Sequence, residues 1–230
     1  NLSPDLFVRP AGADFPAGFT LAPPHRLAPS DLALLAAMNV PQVTVAKRPK
    51  VALIATGDEL VMPGASPRAD QIIASNIFAL RAMVEQAGGD ALMVPIAADT
   101  TDGLSAAFQA ADDWQADIVV SIGGASVGDH DLLADFTKDR GAQLAFHKIA
   151  MRPGKPLIAG TMGTQAYLGL PGNPVSAIVC GHLFLLPMVR KQLGLSDVAA
   201  KPLRASLTCN VAANGPRAHY MRATVSNTDD

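Results

Sequence analysis

The run Val51-Ala-Leu-Ile-Ala-Thr56 decides how this chain folds. Five apolar residues in succession, bounded by polar ones, are typical of a strand buried on both faces in a parallel sheet. Gly57-Asp58-Glu59 follows directly. Because ligands of open α/β sheets bind beyond the carboxyl ends of the strands, these three residues mark a candidate binding edge.

Strand-like and helix-like patterns alternate from Lys50 to about residue 195. Helices are expected near 75–87 and over 174–193, where Pro187 should kink or split the second one. Further strands are expected over 91–96, 117–122, 144–149, 156–159 and 166–170, with shorter helices over 102–111 and 129–139. This alternation predicts right-handed βαβ units in a three-layer α/β/α domain with a mostly parallel sheet, which the helices near 75–87 and 174–193 should sandwich.

Local composition and residue pattern divide the chain into three parts. Residues 1–46, rich in proline and glycine, are expected to be a partial N-terminal linker domain, and residues 47–195 the α/β domain. Residues 196–230, where polar and apolar residues alternate, resemble the start of a C-terminal β domain that is cut short. Because the chain begins at Asn1 and ends abruptly, we expect a fragment of a longer protein.

Composition excludes several classes of protein. Hydrophobic residues make up 49% of the chain and charged residues 17%, which excludes a disordered tail. A net charge of -2 and 5% aromatic residues argue against a nucleic-acid binder. Two cysteines are too few for a disulfide framework, and the longest apolar run is too short for a membrane span. We therefore expect a cytoplasmic protein with no membrane or nucleic-acid partner.

A glycine-rich loop follows the strand over 117–122. Gly123 to Gly128 stands between that strand and a helix, so its backbone N–H groups could approach an anion, and Ser126 could add a hydroxyl. The loop matches neither the phosphate-binding loop of nucleotide hydrolases nor the dinucleotide fingerprint. A turn that simply requires glycine is an equally good interpretation.

Three carboxylates each follow a different strand end: Glu59, Asp99 and Asp131. Together they suit Mg²⁺, which takes one or two carboxylates plus substrate phosphates. Taken singly, Asp99 and Asp131 could instead be acids favoured at helix N-termini.

Cations are concentrated in the segment Arg152-Pro-Gly-Lys155-Pro156, and Lys148 lies nearby at a strand end. A stiff turn that holds two cations suits a small oxyanion. Ser176, in the first turn of the helix that Asn173-Pro174 opens, lies where free N–H groups also favour anions. Exposed strand-end charges are the alternative interpretation.

Together these motifs resemble the molybdopterin molybdenumtransferases, the MoeA and gephyrin E-domain family. The resemblance rests on five segments in the family's order and spacing: Ala55-Thr-Gly-Asp-Glu-Leu60, Ser75-Asn76, Ser121-Ile-Gly-Gly-Ala-Ser-Val-Gly-Asp-His-Asp131, Arg152-Pro-Gly-Lys-Pro156 and Gly169-Leu-Pro-Gly-Asn-Pro-Val-Ser176. Two departures are Arg152, where the family more often has lysine, and Thr100-Thr101, where Asp-Pro is commoner.

The resemblance implies an enzyme of molybdenum-cofactor biosynthesis. It would insert molybdenum from molybdate into adenylated molybdopterin and release AMP, with Mg²⁺, as a homodimer and with molybdopterin adenylyltransferase as a possible partner. The implied catalytic residues are Asp14, Glu59, Asp99 and Asp131, the last three also holding the metal. The implied binding residues are Thr56, Gly57, Asp58, Ser75, Asn76, Gly123, Gly124, Ser126, Gly128, Arg152, Lys155, Pro156, Ser176 and Arg222.

Two other functions remain open at this point. One is molybdopterin adenylyltransferase, which shares the domain but usually has Gly-Gly-Thr-Gly where this chain has Gly123-Gly-Ala-Ser-Val-Gly128. The other is a non-catalytic dimeric scaffold with the same fold, against which the acidic residues and Lys155 argue.

Overall fold

A computed structural model describes residues 8–21, 26–124 and 132–226. Contacts divide the chain into two compact units, residues 1–43 and 44–230. The first unit contains one helix among its described residues, α1 (Pro29–Ala37), which buries none of its side chains. The second unit contains the sheet and every other described element.

The helices of the described second unit follow the expected apolar periodicity. They are α2 (Asn76–Ala87), α3 (Thr101–Asp113), α4 (Leu132–Asp139), α5 (Pro174–Cys180) and α6 (Leu186–Gln192). The strands are β1 (Lys50–Ala55), β2 (Leu60–Val61), β3 (Ile72–Ile73), β4 (Asp90–Met93), β5 (Ile118–Ile122), β6 (Gln143–His147), β7 (Met151–Arg152), β8 (Ile158–Met162), β9 (Gln165–Leu170) and β10 (Ala218–His219).

The main sheet has six strands in the order β4-β1-β5-β9-β8-β6. Strands β4, β1, β5 and β9 are mutually parallel, with Val51 opposite Ile118 at the centre. Strand β8 runs antiparallel to both of its neighbours because Gly163, with a φ of 57°, turns the chain directly back into β9. The expectation of a mostly parallel α/β sheet is confirmed.

Alternate residues of β1 face two separate cores, as the pleat of a buried strand requires. Val51 and Leu53 pack with α2, α5 and α6, whereas Ala52 and Ile54 pack with α3 and α4. The layers are therefore α/β/α. The expectation that α2 and the helix after Asn173 sandwich the sheet is wrong, because both bury their apolar faces in the same core and α3 with α4 covers the other face.

Pro187 splits the last long helix, as predicted. Proline lacks an N–H, so it cannot donate to the carbonyl four residues earlier. A π-helical turn over Gly181–Leu185 separates α5 from α6. Gly181 lies in this turn because a Cβ there would be 2.9 Å from both Leu80 Cδ2 and Met83 Cε of α2.

The segment after α6 has little regular structure in its described part, up to residue 226. Its one strand, β10, pairs in parallel with β7 through Ala218–Met151 and His219–Arg152. Within the described ranges, no helix is long and apolar enough to cross a membrane.

Candidate functional site

Sheet topology brings the candidate residues to one rim. The parallel strands end there, β6 ends there too because it runs parallel to β9, and β8 begins there. In strand order the rim carries Asp99 after β4, Asp58 and Glu59 after β1, Gly123 and Gly124 after β5, Asn173 after β9, the Arg152–Pro156 turn before β8, and Lys148 after β6. The rim is therefore acidic at one end and basic at the other.

A cavity of about 280 Å³ opens at the acidic half of this rim. Five of the residues that we predicted lie in its walls: Thr56, Glu59, Ser75, Asn76 and Gly123. The apolar part of the lining, which we did not predict, comprises Leu60, Ile72, Ile73, Ala74 and Ile77, and the Gly172–Pro174 loop of the quoted segment 169–176 completes it. Ile72 and Ile73 belong to β3, a short strand outside the main sheet whose two exposed residues carry no periodic signal.

Asn76 joins two sides of the cavity. Its Nδ2 donates a hydrogen bond to the carbonyl of Gly172 at 2.7 Å, which ties the start of α2 to the loop between β9 and α5. The cavity therefore has one apolar wall and one wall of amide, carboxylate and backbone groups. A largely apolar lining with a few polar groups is typical of a small-molecule site.

Thr56 and the glycines after β5 pack closely together. A Cβ at Gly123 would lie 2.6 Å from the Thr56 carbonyl oxygen, and one at Gly124 would lie 2.8 Å from Thr56 Oγ1. Both glycines have positive φ, 93° and 68°. The interpretation that this turn requires glycine is therefore correct for these two positions. Thr56 Oγ1 is itself buried, with no hydrogen-bond partner within the part of the chain that the structure describes.

The three described acids of the rim lie close together. Asp58 Oδ1 accepts a hydrogen bond from the backbone N–H of Asp99 at 3.0 Å. Gly57, with a φ of 145°, makes room for Glu59, because a Cβ at Gly57 would be 2.5 Å from a Glu59 carboxylate oxygen. The pKa of Asp99 is raised, first by partial loss of water around its carboxyl and then by the negative charges of Asp58 and Glu59.

The partial loss of water around Asp99, followed by the repulsion from Asp58 and Glu59, makes its negative charge unfavourable, and a cation would offset that cost. A divalent ion between the carboxylates would relieve the repulsion that raises the pKa of Asp99. No set of three or more His, Cys, Asp or Glu side chains within the described ranges is arranged so that it could hold a metal ion. Mg²⁺ would bind at these acids only with water or substrate oxygens as further ligands. Ser126, Gly128 and Asp131 lie outside the described residues.

The Arg152–Pro156 turn is held against α5. Gly154, with a φ of 107°, approaches so closely that a Cβ there would lie 2.5 Å from Cys180 Sγ. Ser176 stands one helical turn before Cys180, so both share the α5 face next to the turn. Burial raises the pKa of the Cys180 thiol to about 11, which makes it a packing group rather than a nucleophile.

Ser176 is buried and belongs to the helix cap. Its hydroxyl donates to Asn173 Oδ1 at 3.3 Å, and its backbone N–H donates to the same oxygen at 3.1 Å. Asn173 is therefore the N-cap of α5, as the Asn-Pro pair predicted. We expected the Ser176 hydroxyl to donate to an anion, but its hydrogen is already donated to Asn173 Oδ1.

The β7–β10 pairing brings the segment that contains Arg222 to the turn. The backbone N–H of Tyr220 donates to the carbonyl of Arg152 at 2.7 Å. Arg222 lies two residues after Tyr220 in the chain. Asp14 lies in the first unit, where it forms an ion pair with Arg9.

Comparison with known proteins gives concordant matches. A family described as a probable molybdopterin binding domain matches residues 52–191. A molybdopterin molybdenumtransferase of Nostoc sp. (strain PCC 7120) is 41% identical over 197 residues, which cover 84% of this chain and 45% of that protein. One of Haemophilus influenzae is 35% identical over 195 residues, which cover 83% and 47% of the two chains.

A solved structure agrees with these matches. The molybdopterin biosynthesis moea protein of Pyrococcus horikosii is 35% identical, with a TM-score of 0.66 over 74% of this chain and 42% of that one. The chain thus spans about half the length of the curated relatives it matches.

Proposed function

The chain belongs to the molybdopterin-binding domain family, and from this premise we propose that it forms the central part of a molybdopterin molybdenumtransferase. The resemblance to that group of proteins is confirmed by the relatives. The proposed reaction takes adenylated molybdopterin and molybdate and gives molybdenum cofactor and AMP. The observation that carries the proposal is the cavity whose walls combine Glu59, Asn76 and Gly123 at the strand ends of a molybdopterin-binding fold.

Adenylated molybdopterin is the proposed ligand of the cavity. Flat rings suit the wall of Leu60, Ile72 and Ile73, and polar ring edges suit Asn76 and Ser75 on the other wall. Because Gly123 has no side chain, its backbone forms part of the cavity lining, where phosphate oxygens could approach it.

We propose that Glu59 and Asp99 hold Mg²⁺ together with Asp131, with the substrate phosphates completing its ligands. The ion would neutralise charge on those phosphates when AMP leaves. The roles of the chain's own residues are to hold the carboxylates in place: Asp58 does so by accepting the Asp99 N–H, and Gly57 by making room for Glu59.

Molybdate is the proposed ligand of the basic end. Arg152 and Lys155 would supply charge-assisted hydrogen bonds from a turn that Gly154 packs against α5. Pro156 stiffens the turn, and Arg222 would approach through the β7–β10 pairing. Ser176 supports the site by donating a hydrogen bond to Asn173, the N-cap of α5.

The resemblance also supports a homodimer in the cytoplasm that receives its substrate from a molybdopterin adenylyltransferase. It likewise supports the division into a linker domain over 1–46, an α/β domain over 47–195 and the start of a β domain over 196–230.

AMP release from adenylated molybdopterin, with and without molybdate, tests the proposed reaction in the protein at its natural length. We expect release that depends on both molybdate and Mg²⁺. Adenylation of molybdopterin by ATP would point instead to the adenylyltransferase. Absence of both reactions, with the ligand still bound, would support a scaffold and contradict the proposal.

A further inference from the structure

Lys148 has an unusual backbone conformation. Three described residues other than glycine have positive φ: Asn39, Gln115 and Lys148, at 59°, 58° and 65°. Asn39 and Gln115 each follow the C-cap of a helix, Met38 and Trp114, where this conformation is ordinary. Lys148 follows a strand, so no helix end explains it. A non-glycine residue held in this region is typical of functional sites.

Backbone hydrogen bonds attach Lys148 to the frame of the Arg152–Pro156 turn. Its N–H donates to the carbonyl of Leu157 at 2.9 Å, and the next N–H, of Ile149, donates to the carbonyl of Lys155 at 3.0 Å. The backbone of Lys148 is therefore tied to the same short segment that carries Lys155. Motion of one would displace the other.

The charge of Lys148 has no acidic partner among the residues that the structure describes. The chain from Arg140 to Ser196 contains no aspartate or glutamate. Lys148, Arg152 and Lys155 are exposed, and none of them pairs with a carboxylate within the part of the chain that the structure describes. Cations that are gathered on one stiff frame repel one another unless an anion lies among them.

We propose that Lys148 is a further cation of the oxyanion site, where it increases the affinity for the molybdate dianion. This inference rests on the proposed function, which assigns Arg152, Lys155 and Arg222 to that anion. The four oxygens of the dianion leave room for another charge-assisted donor beside them. The unfavourable φ of Lys148 occurs at the end of β6, where backbone hydrogen bonds tie this residue to the segment that carries Lys155.

The test measures equilibrium binding of molybdate alone to the protein at its natural length and low ionic strength. Lys148→Gly removes the charge, and glycine adopts the positive φ of this position without strain. The melting temperature of the variant should therefore equal that of wild type or exceed it by up to about 2 °C. Its molybdate affinity should fall about tenfold, and Lys148→Arg should restore most of it. In turnover, the half-saturating molybdate concentration of Lys148→Gly should rise more than the saturated rate falls.

Three further variants separate the possible results. Lys191→Ala removes an exposed lysine from the same acid-free stretch and should leave binding unchanged, whereas Lys155→Ala should weaken it. Gln115→Gly shows what relief of backbone strain does alone. Binding by wild type that Lys155→Ala weakens but Lys148→Gly does not would overturn the role of Lys148 only. Failure of wild type to bind molybdate would overturn the proposed oxyanion site as well.

Discussion

At the residue scale, the close contact between Thr56 and the glycines after β5 constrains one wall of the cavity. Gly124 combines a φ of 68° with a Cβ position 2.8 Å from Thr56 Oγ1, whereas Gly163 has a φ of 57° and open space around it. The two positions therefore separate backbone strain from steric conflict.

We predict that Gly124→Ala lowers the free energy of unfolding by roughly 2–4 kcal/mol, since strain and overpacking add. Gly163→Ala, with strain alone, should lower it by about 1 kcal/mol. Urea unfolding measures both. Equal losses would mean that Thr56 yields without penalty and that the cavity wall is less rigid than its contacts indicate.

Asp99 provides a second prediction at this scale. Its raised pKa means that the folded state binds the proton more tightly than the unfolded chain, so the charged carboxyl reduces stability at every pH above its ordinary titration range. Asp99→Asn removes this charge, which is partly desolvated and is repelled by Asp58 and Glu59. Without Mg²⁺ at neutral pH, the variant should melt at the same temperature as wild type or slightly higher.

With Mg²⁺ the order should reverse. Wild type should gain melting temperature as the ion relieves the repulsion among Asp58, Glu59 and Asp99, and Asp99→Asn should gain little. Asp70→Asn is the matched control, because Asp70 is fully exposed and its pKa is lowered by the Arg68 hydrogen bond. An equal response of all three proteins to Mg²⁺ would exclude Asp99 from the metal site.

At the scale of single elements, the start of α5 depends on Asn173. Its side chain accepts from both the N–H and the hydroxyl of Ser176, whereas Ser75, the N-cap of α2, makes no such bond. Asn173→Ala should therefore lower the free energy of unfolding by about 1 kcal/mol. Ser75→Ala should change it by less than about 0.5 kcal/mol. Chemical denaturation of both variants decides the matter, and a larger loss from Ser75→Ala would refute this assignment of the caps.

At the scale of the whole molecule, strand order separates the two ends of the rim. From β1 to β8 there are three strand steps, or about 14 Å. Removing a cation at β8 should therefore not disturb a ligand held at β1.

We predict that Lys155→Ala weakens the use of molybdate by about ten- to a hundredfold, which corresponds to one charge-assisted hydrogen bond. Binding of adenylated molybdopterin should change little. A molybdate titration of turnover at saturating pterin substrate gives the first quantity, and direct binding of that substrate gives the second. Equal losses in both would show that the two ligands share one subsite.

Much of the site was predictable because its residues follow strands with strong local signals. The apolar run before Thr56 and the glycines after Ile122 identified two strand ends, and Asn173-Pro174 identified a helix start. The apolar wall at Ile72 and Ile73 was not predictable, since two exposed residues of a short strand show no periodicity.

The sequence by itself determined the positions of most helices and strands, the split at Pro187 and the segments that carry the chemistry. Each of these depends on the spacing of apolar residues, glycine and proline over a few positions. Only the tertiary structure decided that α2 and α5 share one face and that β10 joins β7. These arrangements depend on pairing between residues far apart in the chain, for which a single sequence contains no local signal. The reversal of β8 is what brings the turn from Arg152 to Pro156 to the rim with Glu59 and Asp99.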